Sequence, residues 1–258
     1  MRWDLLTSPA LAATDRATPV LLPLGATEQH GPHLPLCTDR LLAERVCERV
    51  DAEDPGGVLV LPTVQVGCSA HHLSFPGTLS LRHETFARQV VDVVDSVAGA
   101  GFRTVVLLNA HGGNQGVGAV LLELLGERHR DLSVVFTSWW QLAGPELLQV
   151  SDTGPGGVGH ACELETSMML AVAPELVDTD AVPVRSGDLG PDWNRSDMLR
   201  GGRARLYQRQ DEVSPNGVHG DPRAATAQKG RAALDAIAAQ LGHLLTSLSG
   251  DTETEDPR

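Results

Sequence analysis

The run Pro19-Val20-Leu21-Leu22-Pro23-Leu24, followed by Gly25-Ala26-Thr27-Glu28-Gln29-His30-Gly31-Pro32-His33 and then a helical pattern over residues 39–50, decides the fold. The first six residues form a continuous apolar run with no alternation, which is how a strand covered on both faces reads. Leu41, Leu42, Val46 and Val50 then recur at helical spacing with Arg and Glu between them, the pattern of a helix with one buried face. Further apolar runs at 58–66, 104–108 and 132–137 alternate with helical patterns at 84–97, 116–128 and 224–248. Strands alternating with helices imply parallel βαβ units, so the expected fold is α/β, a mostly parallel sheet with helices on both faces. Residues 178–222 break the rhythm with Gly, Pro, Asp and Arg; they read as long loops with short strands at a subunit contact. The chain is expected to form one domain over residues 1–249 with a polar, disordered tail at 250–258.

Composition narrows the function. A net charge of −13 over 258 residues speaks against nucleic acid, whose phosphates are bound by clustered Lys and Arg. No apolar run approaches the ~18 residues of a membrane span, and the N-terminus lacks a secretory pattern. Four cysteines without a C-x-x-C pair read as reduced thiols, so a cytoplasmic protein is expected. Lys229 is the only lysine; it lies in no phosphate-binding loop, which sets aside Schiff-base and P-loop chemistry.

Three clusters carry potential chemistry. After the first strand stand Glu28, His30, His33 and Asp39. Mixed N and O donors of this kind suit a divalent ion, and Glu-x-His puts two on one side of an extended segment. Asp39 could equally be a helix N-cap. After the third strand comes Asn109-Ala110-His111-Gly112-Gly113-Asn114, where a histidine could ligate and the glycine N–H groups could hold negative charge, or where a glycine turn merely carries a surface histidine. The third cluster is Gly159-His160-Ala161-Cys162-Glu163-Leu164-Glu165-Thr166-Ser167. Glu163 and Glu165 cannot share a helical face, so one of them points to the site. Cys162 reads as a small buried thiol.

In this order, Leu24 to His33, Phe75-Pro76-Gly77-Thr78, Asn109 to Asn114, Glu165-Thr166-Ser167 and Gly217-Val218-His219-Gly220-Asp221-Pro222 resemble the creatininase family over most of the chain. The resemblance implies a three-layer α/β/α sandwich, a binuclear centre of two divalent ions (Zn, Mn or Fe) and a homo-oligomer, commonly a hexamer. By the same resemblance Glu28 and His111 are ligands of one ion, His30 of the other, and Asp39 bridges both. Creatininase takes a further ligand from a glutamate where this chain has Gly113; relatives with the glycine pair carry one at the position of Glu163, the nominated fifth ligand. The aromatic lid of creatininase is replaced here by residues 154–159, Gly-Pro-Gly-Gly-Val-Gly, while Trp139 and Trp140 resemble the family's other aromatic wall.

The implied activity is hydrolysis of an amide, lactam or formamide C–N bond of a small molecule by a hydroxide held between the ions. His160 is the expected proton carrier, since imidazole titrates near neutral pH. Gly112 and Gly113 are expected to steady an oxyanion and His72 to contact substrate. The alternatives are a peptidase of the mycofactocin-maturation type and a non-catalytic metal-binding assembly protein.

Overall fold

The computed structural model describes residues 1–250 apart from 185, 186, 188, 189, 192, 195 and 196. The expected tail lies, from residue 251 onward, outside the described residues. In chain order the elements are α1 (Ser8–Ala13), β1 (Val20–Leu24), α2 (Thr38–Glu53), β2 (Leu59–Val60), α3 (His83–Gly99), β3 (Thr104–Asn109), α4 (Gln115–Arg128), β4 (Ser133–Ser138), α5 (Trp139–Leu142), α6 (Gly144–Val150), α7 (Glu163–Val172), α8 (Gln210–Val213) and α9 (Ala227–Gly250). The four strands form one parallel sheet in the order β2-β1-β3-β4. Val20 to Leu24 pair in register with Val105 to Asn109, and Thr104 to Asn109 with Ser133 to Ser138.

The period of two along each strand sends alternate side chains into two cores. Leu21, Val106 and Leu108 face one core, shared with α2, α7 and α9; Val20, Leu22, Leu24, Val105 and Leu107 face the other, shared with α3 and α4. The three-layer α/β/α arrangement follows, because helices cover both faces of the sheet. Expected and observed helices agree to within a few residues. α3 ends where a helix should end, with Gly101 in the left-handed region at φ +96° just past its last turn.

Two expectations need correction. The strand expected over 58–66 pairs as a ladder only at Leu59–Val60, with two isolated bridges besides, from Val64 to Leu24 and from Val60 to Arg2. Leu59 N and Leu61 N donate in step to Pro19 O, just before β1, and Leu21 O within it, but the next bond, to Pro23 O, comes from Val64 N instead of residue 63, and this slip of one residue ends the ladder. In residues 178–222 the described residues hold no named strand; they make 3-10 turns at Thr179–Ala181 and Pro222–Ala224, the short α8, and an isolated bridge from His160 to His219. Among the described residues no helix is long and apolar enough to cross a membrane.

The strand order fixes where a site can form. The chain leaves β1 first to one side, for β2, and later to the other, for β3 and β4, so the loops that follow β1 and β3 diverge at their carboxyl ends. That divergence opens the crevice in which doubly wound sheets bind ligands. Glu28 and His30 lie in the first of these loops and His111 in the second.

Candidate metal centre

Four imidazoles and three carboxylates from five segments converge in that crevice. Asp39 is not the N-cap of α2: the helix begins at Thr38 with Cys37 in the cap position. Its carboxylate points inward instead, with Oδ1 3.0 Å from His30 Nε2 and Oδ2 3.2 Å from His111 Nδ1. Glu28 Oε1 lies 3.3 Å from His111 Nδ1, 3.4 Å from His72 Nε2 and 3.6 Å from His160 Nδ1. Glu28, Asp39 and His111 form one group able to hold a cation, and His30, His160 and Glu165 form another.

Three of the rings are oriented from behind by a backbone carbonyl. His30 Nδ1 is 3.2 Å from Glu28 O, His111 Nε2 is 3.3 Å from Cys68 O, and His160 Nε2 is 2.7 Å from Gln29 O. A carbonyl can only accept, so each outer nitrogen carries a proton and the inner nitrogen has a lone pair to offer. This outer hydrogen bond is the usual support of a metal-ligating histidine. For His30 and His111 the inner nitrogen faces a carboxylate oxygen. Two lone pairs at 3.0–3.3 Å repel unless a cation, a proton or a metal ion, lies between them.

The electrostatics state the same demand. Burial opposes a charged His30, but Asp39 outweighs it and carries the ring up to about 10. Burial likewise opposes a charged His111, which Glu28 and Asp39 hold well above the ordinary imidazole value. Burial pushes His160 well below that value, with His30 adding to the effect. Burial, together with Asp39 and Glu28 nearby, raises Glu165 to about 7. Both oxygens of Glu28 and Oδ2 of Asp39 are buried without an aligned hydrogen-bond donor. Buried carboxylates lacking donors are costly and persist where a cation is bound, so the donor set fits divalent ions.

Glu163, the expected fifth ligand, is turned away from this cluster. Its carboxylate accepts from Ser151 Oγ at 2.6 Å, Asp152 N at 3.1 Å, Thr153 N at 3.1 Å, Thr153 Oγ1 at 2.7 Å and Lys229 Nζ at 2.5 Å, none of which belongs to the cluster. Glu165, two residues on, is the carboxylate that reaches the cluster. Ala161 sets this phase: it is the single non-glycine residue at positive φ (+51°) among the described residues, and its N–H donates to Glu165 Oε2 at 2.5 Å.

The aromatic and glycine candidates also divide. Trp140 and Gly112 line a cavity of about 420 Å³ together with Glu28, Asp39, His72 and His160. Trp139 does not; it is packed in the core and meets Trp140 edge-on at 5.2 Å. Gly113 is not among the residues that line the cavity; a Cβ there would come 2.1 Å from Cys68 O and 2.4 Å from His111 Nε2, so a glycine is needed for close packing against His111. Sequence reasoning missed Gln29, Ser69 and His71. Ser69 Oγ lies 3.2 Å from His111 Nε2, and His71 stacks on the His111 ring. Gln29, between two ligand candidates, was the one of these with a positional signal.

The creatininase profile, described as creatinine amidohydrolase, matches residues 4–245. This chain belongs to the creatininase family. Among its relatives, the mycofactocin precursor peptide peptidase of Mycobacterium tuberculosis is 36% identical over 234 residues, covering 87% of this chain and 82% of that protein. The creatinine amidohydrolase of Pseudomonas putida is 37% identical over 179 residues, covering 63% of this chain and 67% of that one. A solved structure of creatininase with Mn superposes with a TM-score of 0.81 at 28% identity, over 95% of this chain and 97% of the other. The chain is thus a creatininase-family hydrolase, with side-chain clusters that could hold metal ions at the carboxyl ends of its strands.

Proposed function

We propose that the protein is a binuclear metal-dependent amidohydrolase that cleaves a C–N bond of a small amide. In this reading Glu28, Asp39 and His111 would hold one divalent ion (Zn, Mn or Fe), and His30 and Glu165, with Asp39 beside them, would hold the second. The observation that carries the reading is the set of buried carboxylate oxygens on Glu28 and Asp39 that have no donor and face inward-pointing imidazole nitrogens. Divalent ions bound there supply a Lewis acid for the carbonyl and lower the pKa of water towards ~7.

The remaining chemistry belongs to the chain. His160 keeps its Nε2 proton on Gln29 O, so Nδ1 is the atom that takes a proton from the attacking water and returns it to the departing nitrogen. Its side chain is 16% exposed, against 0–3% for His30, His72 and His111, which suits a group that must meet substrate. Trp140 and Gly112 wall the cavity and hold the amide against the cluster. A cytoplasmic homo-oligomer, hexameric in keeping with the family resemblance, completes the proposal, and sedimentation equilibrium tests the assembly.

A second reading, release of a short peptide from a precursor, is favoured by the 36% identity to the mycofactocin precursor peptide peptidase across most of both chains. The test is hydrolysis of a panel of lactams, formamides, linear amides and peptides by protein assayed for Zn, Mn and Fe. Turnover of small amides with about two metal equivalents per chain supports the first reading. Turnover of peptides alone selects the second, and tight metal binding without any hydrolysis points to a non-catalytic metal-binding protein.

A further inference from the structure

One ring of the cluster is supported differently from the others. His72 turns Nε2 towards Glu28 Oε1 at 3.4 Å, so on distance alone it could join Glu28 and His160 around a cation. Behind it, though, no carbonyl stands among the described residues. Its Nδ1 lies 2.7 Å from the side-chain nitrogen of Gln29.

The orientation of that amide is determined by its other contacts. Gln29 Oε1 accepts from Gly31 N at 2.9 Å, and Gln29 Nε2 donates to Gly217 O at 3.0 Å. Flipping the amide would set an N–H against the Gly31 N–H and a carbonyl against Gly217 O, losing both bonds. The second proton of Nε2 has two candidate acceptors, His72 Nδ1 at 2.7 Å and His160 Nε2 at 3.0 Å. His160 Nε2 is excluded because it already donates to Gln29 O at 2.7 Å. The proton therefore goes to His72 Nδ1, which must be a lone pair, and in a neutral ring the proton then sits on Nε2, facing the cleft.

Resting on the binuclear reading above, we infer that Gln29 is a positioning residue that fixes His72 as an N–H donor facing the cluster, so that His72 is not a metal ligand. The rings thus divide by what stands behind them: a carbonyl makes His30, His111 and His160 present a lone pair, and an amide N–H makes His72 present a proton. His72 lines the cavity beside Glu28 and His160, where its N–H is placed for an acceptor oxygen such as the carbonyl of a bound amide. A ring that ligated through Nε2 would need its proton on Nδ1, against the Gln29 N–H.

Magic-angle-spinning NMR of protein labelled with 15N-histidine tests this, with His72 assigned through the His72→Gln variant. In the metal-free protein the His72 Nδ1 resonance is expected in the unprotonated range and Nε2 in the protonated range. After loading with 113Cd, couplings to ring nitrogens of His30 and His111 are expected, with none to His72. Gln29→Glu replaces the donor by an acceptor and should move His72 Nδ1 into the protonated range, a change that a merely structural role for Gln29 would not produce. A protonated Nδ1 in the unaltered protein, an Nδ1 indifferent to Gln29→Glu, or a cadmium coupling on His72 would overturn the inference. Should Gln29→Glu fail to fold, the unaltered protein still decides. If no cadmium binds while His72 Nδ1 is unprotonated, the binuclear reading fails and the tautomer assignment stands.

Discussion

Each carboxylate of the cluster has a distinct position, and so a distinct consequence when changed. Asp39 alone places one oxygen by His30 and the other by His111, so Asp39→Ala should lose both ions and all hydrolysis, as read by elemental analysis. His160→Ala should keep the metal and slow turnover by roughly 10²–10⁴-fold, the usual worth of a positioned acid–base group. Glu163 and Glu165 are separable in the same way. Glu165→Gln should cost one metal equivalent, whereas Glu163→Gln should retain both and lower stability by about 2 kcal/mol, as expected when a hydrogen bond to a charged partner is lost. Equal metal loss in the two variants would remove the distinction. The family resemblance nominates Glu163, while the residues themselves leave the choice open for a physical reason. Residues two apart on a helix point roughly 200° apart, so one of the two glutamates had to face the site, but which one depends on the phase at which α7 starts. That phase is set by the left-handed turn at Ala161, and alanine gives no sign of such a conformation. Glu28, His30 and Asp39 were legible because they lie within one strand–loop–helix unit, where few chain conformations bring them anywhere but the strand's end.

At the scale of elements, the site depends on how tightly α7 is held against α9. Gly230 of α9 lies so close to α7 that a Cβ there would come 1.8 Å from Ser167 O and 2.8 Å from Met168 N. Its neighbour Lys229 bonds Glu163 at 2.5 Å, Asp152 at 2.7 Å and Ala224 O at 2.7 Å. The only lysine of the chain thus serves as a tie between α9, the start of α7 and the loop before it. Gly230→Ala should push α7 outward, lower stability by about 1–3 kcal/mol as overpacking does, and weaken the ion held by Glu165 more than the ion held by Glu28. Denaturant unfolding and a competitive chelator titration measure the two effects. Gly230→Ala with unchanged stability would mean that the helices part without cost. The helices themselves were readable from period, and the central strands from continuous apolar runs, because those signals are local. The packing of residues 178–222 was not, since it rests on distant partners: Asp197 accepts from Gly156 N at 2.6 Å, and His219 exchanges backbone bonds with His160 at 2.7 and 2.8 Å.

For the molecule as a whole, the strand order makes one crevice the natural place for a ligand, and the chain concentrates there carboxylates that, among the described residues, pair with no lysine or arginine. Ion binding should therefore be coupled both to folding and to protons. Chelation would leave the buried charge of Glu28 and Asp39 to be offset by imidazoles alone, and at ion concentrations about a thousandfold above Kd the loss is ~4 kcal/mol. For a chain of this size that corresponds to a fall in Tm on the order of 10 °C, read by scanning calorimetry before and after chelation. The proton coupling has a definite sign. In the ion-free protein His30 is carried up to about 10 and His111 well above its ordinary value, so at pH 7 both are charged, and Glu165, raised to about 7, is partly protonated. An ion that takes their inner atoms must expel those protons, so zinc affinity should rise as pH rises from 6 towards 9 and fall on acidification. Titration calorimetry of zinc at pH 7 in buffers of different ionisation enthalpy should register the release of roughly two or more protons per chain. Zinc binding without proton release would mean that His30 and His111 are neutral before the ion arrives, and the carboxylates facing them would then need another explanation.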